Sequence, residues 1–256
     1  MFRTAIVDLQ GGLGNQIFQF AFGCKLKELG FRVLFDKRKF SEAQKFPRKL
    51  EINPSNNNFK LVNTSKMNKF INFYSYSDDN YKKIQYENRK LFRVTGYFQD
   101  LDLIKNYENE ITSLLSLETQ KTIKEKALVH IRRGDYVQIG ENIGNLYYKK
   151  AIRQLLKYKS NIKYDIFTDD ISYEPDKKIF VNTEEILYPS NSKSTLESFL
   201  EMLNYRYYII SNSTFSALAA ILSPVKNKVI IYPSPWFKHT TFQLKNVPTA
   251  WIKINR

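Results

Sequence analysis

Cysteine is almost missing from this chain of 256 residues: Cys24 is the only one, so no internal disulfide can form and a reducing compartment is expected. The opening stretch, MFRTAIVDLQ, lacks the apolar core of a signal peptide and reads as a first strand. Long apolar runs are absent too; Phe215 to Leu222 is the longest worth testing, far short of the roughly 20 residues of a membrane span. Acid is scarce, with 25 Asp and Glu against 40 Lys and Arg, a formal charge of +15. That balance favours anionic partners: nucleic acid, an acidic membrane face or a phosphorylated small molecule. Much of the excess is lysine beside asparagine or tyrosine, as on a solvated surface. No Gly-Lys-Ser/Thr follows the early glycines, which excludes a phosphate loop of that type, and no repeat of fixed period occurs.

What remains is a globular composition, 43% hydrophobic and 25% charged, long enough for one large domain or two small ones. Its most informative stretch is Ala127 to Tyr136, ALVHIRRGDY. An apolar strand that ends abruptly in charge marks the carboxyl edge of an open α/β sheet, where such sheets hold ligands. If the strand persists to Arg132, alternation sends His130 and Arg132 to one face and Ile131 to the other. A fixed guanidinium there suits phosphate or carboxylate, since its planar fork donates two hydrogen bonds. The same residues also read as a salt-bridged turn with Arg133 and Asp135 on the surface. Arg133-Gly134-Asp135 resembles an adhesion tripeptide, but a cysteine-poor chain without an export signal gives that little support.

The first half opens as strand, turn, helix, strand. Thr4 to Leu9 is a strand, Gly11, Gly12 and Gly14 a tight turn, and Gln16 to Leu29 a helix with Ile17, Phe20, Ala21 and Cys24 on one stripe. Gly30 stops it, and Phe31 to Phe35 is the next strand, ending in Asp36. Gly12 and Gly14 supply two of three dinucleotide-fingerprint glycines, and Asp36 sits where a ribose-binding acid would, but Ile17 takes the third glycine's place. From Ser41 to Tyr86 the chain is rich in Asn, Ser, Lys and Tyr and reads as loops whose tyrosines suit either a sugar-stacking surface or ordinary turns. Leu91 to Phe98 is strand-like. Asp100-Leu101-Asp102 has the DxD pattern of metal-dependent transferases, yet reads better as a helix start. Helical segments are expected from Leu101 to Lys126, with the domain boundary there.

The second half alternates strand and helix, the pattern of a parallel sheet covered on both faces. Strands are expected at Ala127–Ile131, Tyr164–Thr168, Lys178–Val181, Tyr207–Ile210 and Lys228–Tyr232. Helices are expected at Tyr147–Lys157, from a Ser194…Glu197 capping box to Asn204, and at Phe215–Leu222. Three strand ends carry polar clusters: Arg132-Arg133-Gly134-Asp135, Thr168-Asp169-Asp170 and Ser211-Asn212-Ser213-Thr214. In a parallel sheet they share one edge. Arginine neutralises phosphate, a helix amino terminus at Ser213 and Thr214 offers hydroxyls and N–H groups to it, and an aspartate can accept from a guanine edge. Taken singly, the serine run is a helix cap and the aspartate pair a loop; together the clusters describe a nucleotide site.

GGLGNQIFQFAFG at Gly11–Gly23, GYFQD at Gly96–Asp100, HIRRGDY at His130–Tyr136, FTDD at Phe167–Asp170 and SNSTFSALAA at Ser211–Ala220, with YYKKAI and the closing WIKI, resemble the ordered motifs of the α1,2-fucosyltransferases of bacterial type. The α1,6- and protein O-fucosyltransferases share the arginine motif and a similar glycine turn but not the whole set. The resemblance implies a GT-B-like α/β fold, two Rossmann-like halves with parallel sheets facing each other across a cleft, divided into an acceptor-side domain over residues 1–126 and a donor domain over 127–256. It implies inverting transfer of L-fucose from GDP-β-L-fucose to the 2-hydroxyl of a galactoside in a cell-surface glycan, as in O-antigen biosynthesis, with no metal or other cofactor and no nucleic-acid partner.

By the same resemblance, Arg132 holds the β-phosphate as the bond to fucose breaks, and Asp135 is its catalytic companion. Donor contacts are expected from Gly12, Gly14, Asn15, Gln16, His130, Arg133, Asp169, Asp170, Asn212, Ser213, Thr214 and Phe215. Adjacent guanidinium groups favour the charged form of Asp135, which makes it a poor base and a good orienter. The chain departs from the family after the arginine motif, where QIGENIGN lacks the histidine often found before the tyrosine pair. The enzyme is expected in the cytoplasm, its basic residues able to hold it against an anionic membrane carrying lipid-linked acceptor. The rival readings are an α1,6- or O-fucosyltransferase and, in another class, a non-catalytic nucleotide- or nucleic-acid-binding protein.

Overall fold

The computed structural model describes residues 3–43, 45–65, 74–78, 80–117, 122–188 and 193–256, and the chain divides into two compact units, residues 1–117 and 118–256. Each is built on a wholly parallel sheet.

The first unit begins with β1 (Thr4–Asp8), α1 (Leu13–Glu28) and β2 (Arg32–Asp36). The turn into α1 needs its glycine, since Gly11 has φ +76. Gly12 is the extended N-cap, so α1 starts at Leu13, earlier than Gln16, and Gly14 lies inside its first turn. Lys25 and Lys27 complement the dipole in the last turn, and Gly30 reverses the chain at φ +83. Ile17, Phe20, Ala21 and Cys24 are buried as the stripe requires. Burial pushes the Cys24 thiol up to about 12, so it packs and does not react. Helix and sheet are so close that a Cβ at Gly23 would run into the Phe35 ring. Short strands β3 (Lys60–Val62), β4 (Ser75–Tyr76) and β5 (Leu91–Val94) complete a sheet of order β3-β2-β1-β5-β4. The expected Ser41–Tyr86 loops thus contribute two strands; residues 44, 66–73 and 79 of that stretch lie outside the described residues.

The helical segments expected over 101–126 are two helices, α2 (Leu101–Asn106) and α3 (Glu108–Leu115), and they end short of the expected limit. Ser116 turns left-handed and ends α3, and the next strand already starts at Lys124; residues 118–121 lie outside the described residues. The compact units accordingly divide at 117/118, whereas the sequence reading sets the boundary at 126/127.

The second unit contains β6 (Lys124–Ile131), α4 (Gly134–Gln138), α5 (Asn145–Leu155), β7 (Tyr164–Thr168), β8 (Thr183–Leu187), α6 (Thr195–Met202), β9 (Tyr205–Ile209), α7 (Thr214–Leu222), β10 (Val229–Ser234) and β11 (Ile252–Asn255). The sheet order is β11-β10-β9-β6-β7-β8. The Ser194–Glu197 capping box forms as expected. The strand expected at Lys178–Val181 is displaced to Thr183–Leu187: Ile179 and Phe180 donate their N–H groups to the Asp176 carbonyl in a turn, and Phe180 packs into the core from there. Val129, Ile131, Tyr147, Tyr148, Ile166 and Ile209 share that core, where each large apolar side chain contributes about 1.5–3 kcal/mol. The chain is therefore α/β with two Rossmann-like parallel sheets, the make-up expected of a GT-B-like protein. Among the described residues no helix is long and apolar enough to cross a membrane.

Candidate functional site

In the second unit the chain runs outward from β6 through β7 to β8, then returns to the other side of β6 with β9 and runs outward again through β10 to β11. The carboxyl ends of β6 and β9 therefore flank the point where the winding reverses, the position at which open parallel sheets bind ligands. Register brings the three polar clusters to this edge: Val129 pairs with Ile209 and Ile131 with Thr168. Arg132, Asp169 and Ser211 each follow within two residues of those pairs.

Arg132 leaves β6 half-buried and is gripped by two carboxylates. Its Nη2 donates to Asp135 Oδ1 at 2.5 Å, and its Nη1 meets Asp169 Oδ2 at 2.7 Å. Arg133 donates its main-chain N–H to Asp169 Oδ1 at 2.7 Å and its Nε to Asp170 Oδ2 at 2.9 Å, and its guanidinium lies 4.7 Å from the Tyr173 ring centre. Asp170 also accepts from the amide and hydroxyl of Ser172; these bonds, then Arg133, lower its carboxyl to about 2. Gly134 makes room for the arrangement, since a Cβ there would stand 2.5 Å from Asp169 Oδ2. Two arginines face three aspartates, so this turn is not a simple positive patch. Its donors are directed rather than merely numerous.

Below Arg132 the site is braced from inside. His130 is buried at 5% exposure, and its Nδ1 shares a hydrogen bond of 2.8 Å with Ser211 Oγ, joining β6 to the residues after β9. Burial, and then Arg132, lower the imidazole to about 3, so it is neutral. Two tyrosines that the sequence places in a helix and in the family-like YYKKAI stretch, but not among the site residues, complete the brace. From α5, Tyr148 donates its hydroxyl to the His130 carbonyl at 3.1 Å and Tyr147 donates to the Ile210 carbonyl at 2.6 Å. Burial raises both phenols well above their ordinary value, so both stay protonated donors. Their signal is the adjacent pair at the start of a helix that must cover two strand ends.

Asn212 is fully buried; its Nδ2 donates to the Glu141 carbonyl at 2.9 Å, while its Oδ1 is buried without a partner among the described residues. Glu141 is an anchor in the stretch that departs from the family pattern. Its carboxylate accepts the main-chain N–H groups of Lys238 and His239 and the Arg256 guanidinium. Burial opposes its charge, but those two amides and Arg256 hold it below the usual range. Ser213 is the N-cap of α7, yet its side chain makes no capping hydrogen bond, unlike the cap read from sequence. Phe215 turns inward, its ring 5.4 Å from Phe199 and 6.3 Å from His130.

In the first unit β1 lies between β2 and β5, and the glycine turn follows β1. Asn15 accepts from Gln99 Nε2 at 2.9 Å. Gln16 is fully buried and spends its amide on main chain: Nε2 donates to the carbonyls of Gly11 and Lys49, and Oε1 accepts from the Glu51 N–H. Gln16 thus ties the glycine turn to residues 49–51. Asp36 is equally committed, to Thr64, Arg93 and the Arg38 amide, with no exposure left for a ribose. Asp8 joins it through Arg93 and Arg38. Asp100 caps α2 by accepting from the Asp102 N–H at 3.0 Å. Among the described residues no three His, Cys, Asp or Glu side chains form a group able to hold a metal ion.

Comparison with known proteins adds an independent line. The family model described as Glycosyl transferase family 11 matches residues 7–255. An alpha-1,2-colitosyltransferase of Escherichia coli is 24% identical, over 98% of this chain and 99% of that protein. The O-antigen biosynthesis glycosyltransferase WbnK of Escherichia coli is 27% identical, over 96% of this chain and 99% of that protein. Among solved structures, the fucosyltransferase NodZ from Bradyrhizobium superposes with a TM-score of 0.49 at 11% identity, over 88% of this chain and 93% of that chain.

Proposed function

The chain belongs to glycosyl transferase family 11, and from that premise we propose that it moves L-fucose from GDP-β-L-fucose to the 2-hydroxyl of a galactoside in a cell-surface glycan, with inversion and without a metal. The observation that carries this reading is Arg132, fixed by two carboxylates at the end of β6 where the winding reverses. A diphosphate leaving group develops charge as its bond to the sugar breaks, and a cation already aimed at that place stabilises it without reorganising. Arg132 is the catalytic residue in this reading and Asp135 orients it. With the turn carrying one more aspartate than arginine, attraction comes from the direction of the guanidinium and from the amino end of α7, which favours an anion. An oxocarbenium-like transition state asks little of a base, so water suffices to take the acceptor proton.

The relatives support the finer points: one is an alpha-1,2-colitosyltransferase and the other an O-antigen biosynthesis glycosyltransferase. The net charge of +15 suits work beside an anionic membrane that carries lipid-linked acceptor, on its cytoplasmic side. The colitosyltransferase favours one second reading, in which the sugar moved is colitose. Measuring nucleotide release with GDP-fucose and a colitosyl donor, each with and without galactosides and with EDTA, tests both. Galactoside-dependent GDP release from GDP-fucose, undiminished by EDTA, is expected. Release only from the colitosyl donor selects the second reading, and strict dependence on Mg²⁺ or Mn²⁺ contradicts the metal-free mechanism.

A further inference from the structure

The end of β7 gives Asp169 a task that base recognition does not explain. We infer that Asp169 is a positioning residue that aims Arg132 at the donor diphosphate and does not read the guanine edge; the inference rests on the GDP-sugar reading above. A carboxylate that reads guanine turns its oxygens toward the base to accept from the N1–H and the 2-amino group. Both oxygens of Asp169 are turned into the arginine motif instead. Oδ1 accepts the Arg133 main-chain N–H at 2.7 Å and Oδ2 meets Arg132 Nη1 at 2.7 Å.

The approach is built in. Any side chain at residue 134 would put a Cβ 2.5 Å from Asp169 Oδ2, so the glycine of the motif serves the aspartate of the neighbouring strand. The two carboxylates on Arg132 are not equivalent. Asp135 lies in α4, a helix of five residues that starts two residues after Arg132, and can move with the turn it belongs to. Asp169 follows β7, whose Thr168 is in register with Ile131 of β6. Only Asp169 therefore ties the guanidinium to the sheet. With both in place, Nη1 and Nη2 are held by different elements and the plane of the guanidinium is set; with Asp135 alone it can swing about its own turn.

Calorimetric titration of GDP, IDP and guanosine into the wild type, Asp169→Asn and Gly134→Ala separates the two roles. IDP lacks the 2-amino group, so the GDP-to-IDP affinity ratio reports base reading, and the GDP-to-guanosine ratio reports the diphosphate contacts. Asp169→Asn removes the charge opposite Arg132; Gly134→Ala keeps the aspartate and displaces it, so it carries the test should the first variant fail to fold. Both are expected to cut the GDP-to-guanosine ratio about tenfold and leave the GDP-to-IDP ratio within about twofold. Loss of the GDP-to-IDP preference with the diphosphate ratio kept would overturn the inference, and so would unchanged ratios in both variants. A wild type that does not prefer GDP to guanosine would instead bring down the donor reading itself, and the inference with it.

Discussion

At Arg132 one guanidinium meets a carboxylate from its own turn and another from the next strand, at 2.5 and 2.7 Å. Removing it leaves Asp135 and Asp169 half-exposed, able to recover their hydration, so the cost falls on chemistry rather than folding. Arg132→Ala is expected to lower turnover at least about a hundredfold, the scale of losing one transition-state donor, with an unchanged circular dichroism spectrum. Near-normal turnover would remove Arg132 from the mechanism. His130 makes a different kind of prediction. Its imidazole titrates at about 3 in the folded chain and near the ordinary ~6.5 when unfolded. The unfolded chain therefore takes up a proton that the folded chain refuses, and stability falls as pH drops below about 6.5. The slope approaches about 1.4 kcal/mol per pH unit. Urea unfolding of wild type and His130→Asn between pH 6.5 and 5, above the range where most carboxylates titrate, should show this slope in the wild type and its loss in the variant. Equal slopes would mean that the buried histidine is not the group responsible.

At the scale of elements, α5 matters because it covers the two strand ends that frame the site. Tyr148 and Tyr147 donate to the carbonyls of His130 and Ile210, immediately before Ile131-Arg132 and Ser211. Tyr148→Phe removes a buried donor and should cost about 1–3 kcal/mol in urea unfolding; unchanged stability would show that the hydroxyl braces nothing. Much at this level was legible in the sequence. The β1–turn–α1–β2 start, β6 and β7, the α6 capping box and the β9–α7 junction follow from alternation, glycine placement and capping chemistry. What was not legible depends on long-range partners. β8 is mostly exposed and starts acidic, TEEIL, so its apolar signature is weak, and the more apolar Ile179-Phe180-Val181 carries the strand expectation instead. Gln16 reads as a ligand amide until residues 49–51 are seen to occupy it. Asp36 reads as a ribose acid until Arg93, 57 residues on, closes over it.

For the whole molecule, both units are parallel sheets with the first strand at an inner position; in the second the chain winds outward from β6 on one side and from β9 on the other, and the sequence motifs gather where the winding reverses. In the second unit Glu141 extends this order to the end of the chain, taking Asn212 at its main-chain carbonyl and Lys238, His239 and Arg256 at its buried carboxylate. No local pattern announces that junction, because its members are separated by up to 115 residues. The central claim is tested most directly by incubating the protein with GDP-β-L-fucose and a β-galactoside and solving the product by NMR. The account predicts a single new α-L-fucosyl residue on the galactose 2-oxygen, formed with inversion from the β-linked donor. A β-linked product, fucose on another oxygen, or no transfer at all would contradict it.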